Sequence, residues 1–212
     1  MTTTAILGSG NVARALAEGL RRAGHEVIVG SRRPHEIAAE WAGPGVRVAS
    51  LADAAGAGEP VINALPGSVS VDVLTGVAEK LAGKVVIDVA NAVELDAGGF
   101  ASALRYPETS LAEELQRALP DARVVKTLNT MHESAMADPA GLSTPPTAFV
   151  SGDDSEARRT TAGLLTDLGW RPEWIIDLGG IGTARGPEAF VLMIGDLVRA
   201  LGPVPFGLSI AR

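Results

Sequence analysis

Short apolar runs alternate with amphipathic stretches along most of the chain. Residues 3–7 form an apolar run closed by Gly8, which reads as a strand. Over residues 11–23, Val12, Leu16 and Leu20 share one helical face, and Gly24 is a natural stop. Strand-like runs recur at 27–29, 46–48, 61–65 (halted by Pro66-Gly67), 85–89, 123–127 and 149–150, and at 174–177, taken as the last central strand. Between them lie a short helix at 34–41 and an apolar stripe of Val69, Val73, Leu74, Val77 and Leu81. Ser110 and Glu113 have capping-box spacing ahead of Leu111, Leu115 and Leu119. A further helix is expected at 155–168 and the longest at 184–201, with an edge strand at 206–210. Residues 90–109 read as irregular, and a loop surrounds 139–146.

Strand–helix alternation from the start implies α/β architecture, a doubly wound parallel sheet covered by helices on both faces. Residues 1–127 are expected to form the sheet domain, and 128–212 a smaller C-terminal lobe or extension packed on it. The 184–201 helix is apolar on more than one face through Phe190, Val191, Leu192, Met193 and Ile194. That breadth fits either a central core helix or a dimer interface.

Composition narrows the chemistry. The 212 residues contain no cysteine, which removes disulfides, thiolate nucleophiles and iron–sulfur ligation. Three dispersed histidines, His25, His35 and His132, make a histidine metal site improbable. A net charge of −7 without a basic block argues against nucleic acid. No apolar run approaches the ~18 residues of a membrane span. The first residues lack a basic, then apolar, leader pattern, so a cytoplasmic protein is expected.

Gly8-Ser9-Gly10-Asn11-Val12-Ala13 fits G-x-G-x-x-A between a predicted strand and a predicted helix, the context of a dinucleotide fingerprint. Gly8 permits the turn, Gly10 lets backbone approach a pyrophosphate, and the helix start offers N–H donors. An NAD-preferring site places a carboxylate about 20 residues on. Gly30-Ser31-Arg32-Arg33 stands there instead, with a hydroxyl and two guanidiniums suited to a 2′-phosphate, so NADP is expected. Ala64, Leu65 and Pro66 end the fourth strand at the ligand crevice, as Asn91 follows the fifth. Asn129, Thr130 and Met131 follow the sixth and are candidates for the substrate side. No catalytic residue is identified. The one tyrosine, Tyr106, has no partner lysine at Tyr-x-x-x-Lys spacing, Lys126 reads as a strand-end charge, and His132 is a lone loop histidine. Carbonyl reduction needs a placed proton donor, whereas hydride exchange between two ring cofactors needs chiefly orientation.

These motifs, with Val86-Ile87-Asp88, Val125 to Thr130, Ser151 to Asp154, Ala184-Arg185 with Glu188, and Phe206-Gly207-Leu208, resemble the NADP oxidoreductase family dependent on coenzyme F-420 (F420), a deazaflavin. The resemblance implies a Rossmann-type domain with a small C-terminal extension, usually a homodimer, and hydride exchange between nicotinamide and deazaflavin. It places Ser9, Asn11, Val12, Ser31, Arg32, Ala64, Leu65 and Asn91 on NADP, and residues 129–131 beside the deazaflavin. Asn129 stands where some deazaflavin-reducing members carry histidine. Another acceptor (flavin, quinone, imine or ketone) and a non-enzymatic NADP(H) sensor remain alternatives.

Overall fold

The computed structural model describes residues 3–41 and 46–211. Met1 and Thr2, part of the stretch read for a leader, lie outside them. Ten strands and ten α-helices are formed among the described residues. The first half runs β1 (Thr3–Leu7), α1 (Asn11–Arg22), β2 (Glu26–Ser31), α2 (Pro34–Ile37), β3 (Val46–Ser50), α3 (Leu51–Ala57), β4 (Val61–Asn63), α4 (Gly67–Thr75), α5 (Ala78–Leu81) and β5 (Val85–Asp88). Then follow β6 (Val93–Leu95), β7 (Ala101–Leu104), α6 (Leu111–Ala118), β8 (Arg123–Lys126), α7 (Glu133–Ala137), β9 (Ala148–Ser151), α8 (Ser155–Asp167), β10 (Ile175–Gly179), α9 (Arg185–Ala189) and α10 (Ile194–Leu201).

Eight strands make one sheet in the order β10-β9-β8-β5-β4-β1-β2-β3. From β3 to β8 every pair is parallel, in the Rossmann order. Beyond β8 the sheet changes direction: β9 runs antiparallel to β8, and β10 parallel to β9. Alternation along each strand divides the core. In β1, Ile6 joins a cluster with Leu16, Leu20, Val125, Met131, Leu165 and Trp170, on the α1, α7 and α8 side. Its neighbours Ala5 and Leu7 join the opposite cluster with Ala54, Leu74, Leu81, Leu111 and Leu115, from α3 to α6.

Several sequence expectations change. Residues 175–177 belong to β10, an edge strand rather than a central one, and Trp174 ends the 3-10 turn before it. The stripe ending at Leu81 is two helices, α4 and α5, interrupted after Thr75. Residues 90–109 hold the antiparallel hairpin β6–β7. The 184–201 segment is not one helix: a 3-10 turn at Phe190–Met193 separates α9 from α10. It is not a fully enclosed core helix either, since Leu192, Met193 and Leu201 are exposed. The 206–210 segment joins no sheet and makes a single bridge, Gly207 to Met131. Among the described residues no helix is long and apolar enough to cross a membrane, and no trio of acidic or histidine side chains could hold a metal.

Candidate functional site

The carboxyl ends of β1, β2, β4, β5 and β8 open into a cleft of about 650 Å³. Crevices of open parallel sheets form at this edge, where the chain reverses its order of travel. All twelve residues expected to meet the cofactor line it: Gly8, Ser9, Gly10, Asn11, Val12, Ser31, Arg32, Arg33, Ala64, Leu65, Pro66 and Asn91. Asn129 and Met131 line it as well. Thr130 does not: it is 1% exposed, and its carbonyl accepts from the Leu208 N–H.

The glycine turn is shaped by contacts that exclude larger residues. Gly8 has φ 123°, and a Cβ there would lie 2.4 Å from the Ala64 carbonyl oxygen. At Gly10 a Cβ would meet nothing within 4 Å, so open space lies over this backbone. Helix α1 starts at Asn11 with no side-chain cap and no acid in its first turn. Its leading N–H donors and positive dipole end therefore remain available to an anion. A dinucleotide pyrophosphate fits this cradle.

At the end of β2, the buried Ser31 hydroxyl accepts from the Arg33 N–H at 3.1 Å, which shapes the turn. Arg33 forms an exposed ion pair with Glu36 at 2.9 Å. Arg32 is exposed, faces the cleft and has no hydrogen bond or ion pair among the described residues. Among the cleft-lining residues the only carboxylate is Glu133, on α7. The side that would take a 2′-phosphate thus carries one unpartnered guanidinium, with a second arginine shared by Glu36.

The opposite end is largely apolar, walled by Val89, Met131, Met136 and Ile194 around two carboxamides, with Glu133 of α7 its one carboxylate. Asn91 Nδ2 donates to the Asn129 carbonyl at 2.9 Å, and Asn129 Nδ2 donates to Asn91 Oδ1 at 3.0 Å. The reciprocal pair joins the ends of β5 and β8. Leu128, just before Asn129, is buried with φ 60°. Such a conformation in a branched residue costs about 1–3 kcal/mol and persists only when its surroundings dictate it. His132 does not reach the cleft. Its Nδ1 accepts from the Ser134 N–H, capping α7. Tyr106 packs against the α3–α6 cluster, away from the cleft. No histidine, lysine or tyrosine lines the cleft among the described residues.

Sequence reasoning missed the polar network beneath this floor. Asn63, wholly buried, donates to Asp88 Oδ1 at 2.8 Å, and its Oδ1 accepts from the Leu65 N–H at 3.3 Å, holding the turn after β4. Lys126 is not a strand-end surface charge. It is 1% exposed and bonds Asp88 at 2.8 Å, Glu188 at 2.9 Å and the Ala90 carbonyl. Burial pushes its ammonium pKa down, but Asp88 and Glu188 more than offset that and hold it above the ordinary lysine value. Polar residues at the ends of apolar strands (Asn63, Asp88, Lys126) were the available signal.

The description "NADP oxidoreductase, coenzyme F420-dependent" belongs to a family whose profile matches residues 3–92. The F420-dependent NADP reductase of Methanothermobacter marburgensis is 30% identical over 206 residues, covering 90% of this chain and 89% of its own length. The metalloreductase STEAP3 of Rattus norvegicus is 32% identical over 190 residues, or 89% of this chain. The chain spans only 36% of that relative's length. A crystal structure of a candidate F420-dependent NADP-reductase from Arthrobacter sp. FB24 superposes with a TM-score of 0.93 at 40% identity, covering 100% of both chains. The glycine turn, the arginine-bearing β2 end and the near full-length match agree: the chain belongs to the family of NADP oxidoreductases dependent on coenzyme F420.

Proposed function

We propose that this protein is an NADPH-dependent oxidoreductase that exchanges a hydride between NADP(H) and the deazaflavin coenzyme F420. One observation carries the reading: the cleft pairs a phosphate-binding end with a far end that holds two carboxamides, apolar walls and the Glu133 carboxylate but no histidine, lysine or tyrosine. When bound, NADPH would supply a hydride that the deazaflavin would accept together with a proton from the medium.

The chain's own residues bind and orient. The N–H donors at the start of α1 hold the pyrophosphate, and Arg32, aided by Ser31 and Arg33, holds the 2′-phosphate. Ala64, Leu65 and Pro66 flank the nicotinamide ribose. Asn91 and Asn129 present carboxamide groups at the reacting end, and Met131, Met136 and Ile194 exclude water there. Catalysis of this kind rests on alignment of two rings rather than on proton transfer from a side chain. Residues 1–127 then carry the nucleotide, and 128–212 complete the acceptor side. The exposed Leu192, Met193 and Leu201 are the proposed face of a homodimer.

The test mixes protein, NADPH and F420 and follows the visible absorbance of the deazaflavin, with NADH as the control. Bleaching that needs NADPH supports the reading, and none at all refutes it. Kinship with a metalloreductase favours a second reading, delivery of the hydride to another acceptor such as a flavin. Turnover with a flavin but not with F420 would select it.

A further inference from the structure

Asn129 and Met131 reach the reacting end of the cleft from Leu128 to Met131, a stretch without regular secondary structure apart from one bridge. Leu128 sits there in the left-handed region, so contacts from elsewhere must hold this stretch. The Asn91 pair holds Asn129 directly. Two further sets of contacts brace the stretch from opposite faces of the sheet, and each draws on residues beyond β8.

On the α6 face the anchor is Lys126, two residues ahead of Leu128. Glu188 of α9 accepts from Lys126 and also from the Leu111 and Ala112 N–H groups, at 2.8 and 3.1 Å, at the start of α6. Arg185 fixes the same helix from outside through two bonds to Glu113, at 2.8 and 2.6 Å. The ammonium in turn holds Asp88 and the Ala90 carbonyl, next to Asn91. A single buried cation thereby ties together the roots of both cleft carboxamides.

On the α1–α7 face the tail from Phe206 to Leu208 lies along the stretch. The His132 N–H donates to Phe206 O at 2.9 Å, and the Leu208 N–H donates to Thr130 O at 3.0 Å. The Thr147 N–H closes the other side of the tail on Leu208 O at 2.8 Å. Only a glycine fits between. A Cβ on Gly207 would stand 2.6 Å from Pro146 Cβ and 3.1 Å from Met131 Cβ. None of Lys126, Glu188 and Gly207 lines the cleft.

We propose that the chain beyond β8 is a two-sided brace on Leu128 to Met131, and that Gly207 and the Lys126–Glu188 pair are positioning residues for the acceptor end of the cleft. They act on the placement of Asn129 and Met131, not on the phosphate-binding end, which is built from β1, α1 and β2. The inference rests on the hydride-transfer reading above. Hydride transfer is steep in distance, and a 1 Å displacement of positioning groups costs up to about a hundredfold in rate.

The experiment compares wild type, Gly207→Ala and Glu188→Gln in three measurements. These are NADPH affinity by fluorescence titration, kcat for F420 reduction, and hydrogen–deuterium exchange of the protein alone. The expected result is a kcat lower by about tenfold or more. NADPH affinity should stay within about twofold, and exchange should be faster in the peptide spanning 128–134 but not in that spanning 3–14. Affinity falling in step with kcat, or exchange rising evenly through the chain, overturns the inference. So does unchanged kcat with unchanged exchange at 128–134. If Gly207→Ala does not fold, Glu188→Gln decides by the same criteria. Should wild type fail to reduce F420, the hydride-transfer reading fails, and the exchange pattern alone decides whether the brace exists.

Discussion

Arg32→Ala tests the cofactor assignment most directly. The side chain is exposed, faces the cleft and has no partner among the described residues, so its loss leaves the fold of the free protein intact. A charge-assisted hydrogen bond to an anion contributes about 1.5–3 kcal/mol net. Each 1.4 kcal/mol is about tenfold in affinity, so NADPH binding should weaken about 10- to 150-fold. Solvent access places the outcome toward the lower end, and raising the salt should narrow the gap between wild type and variant. NADH, which lacks the 2′-phosphate, should bind both proteins alike. Arg33→Ala should cost less, because Glu36 already engages that guanidinium at 2.9 Å. Fluorescence titrations with both nucleotides at two salt concentrations suffice. Equal losses for NADPH and NADH would falsify the 2′-phosphate role, and no loss for either would remove Arg32 from the site.

Four further outcomes follow from the geometry. Gly8→Ala should lower the melting temperature and abolish tight NADPH binding, because it combines φ 123° with a 2.4 Å approach to the Ala64 oxygen; calorimetry and titration check both. Lys126→Met leaves Asp88 and Glu188 buried without their cation and should cost about 3–5 kcal/mol in urea unfolding; a loss under about 1 kcal/mol would contradict the buried triad. The raised Lys126 pKa implies stability that is fully present below about 10.5 and lost as pH rises through the folded value, so wild type should have an alkaline unfolding limb that Lys126→Met flattens. Arg185 hydrogen bonding, aided by Ser110 and opposed by desolvation, lowers the pKa of Glu113; its contribution is therefore present above about 4.5 and lost as pH falls through the lowered value, and Glu113→Gln should flatten the acid limb of a melting series.

The nucleotide half was legible because its determinants are local. The turn at Gly8, the open backbone at Gly10 and the helix start at Asn11 occupy consecutive positions, and the Arg32 turn follows one strand later. The capping box at Ser110 was legible for the same reason: the Glu113 N–H donates to Ser110 Oγ at 3.1 Å. The errors fall where tertiary packing overrides local pattern. The β6–β7 hairpin is short and largely exposed, so no apolar alternation marked it. Phe190 to Met193 reads as helix by composition, yet the chain tightens to a 3-10 turn there. The tail at 206–210 reads as an edge strand, but it joins no sheet and makes a single bridge, Gly207 to Met131.

The sequence by itself determined the α/β class, the glycine turn at the head of α1 and the expectation of an NADP(H) site, since each depends on residues close together in the chain. Only the tertiary structure decided what the far end of the cleft is made of. Asn91 and Asn129 meet across 38 positions, Lys126 finds Asp88 across 38 positions, and Gly207 lies against Met131. A buried ammonium and a surface lysine are written with the same letter. Which one Lys126 becomes depends on whether distant carboxylates converge on it as the sheet folds, because burial of that charge is tolerable only with them.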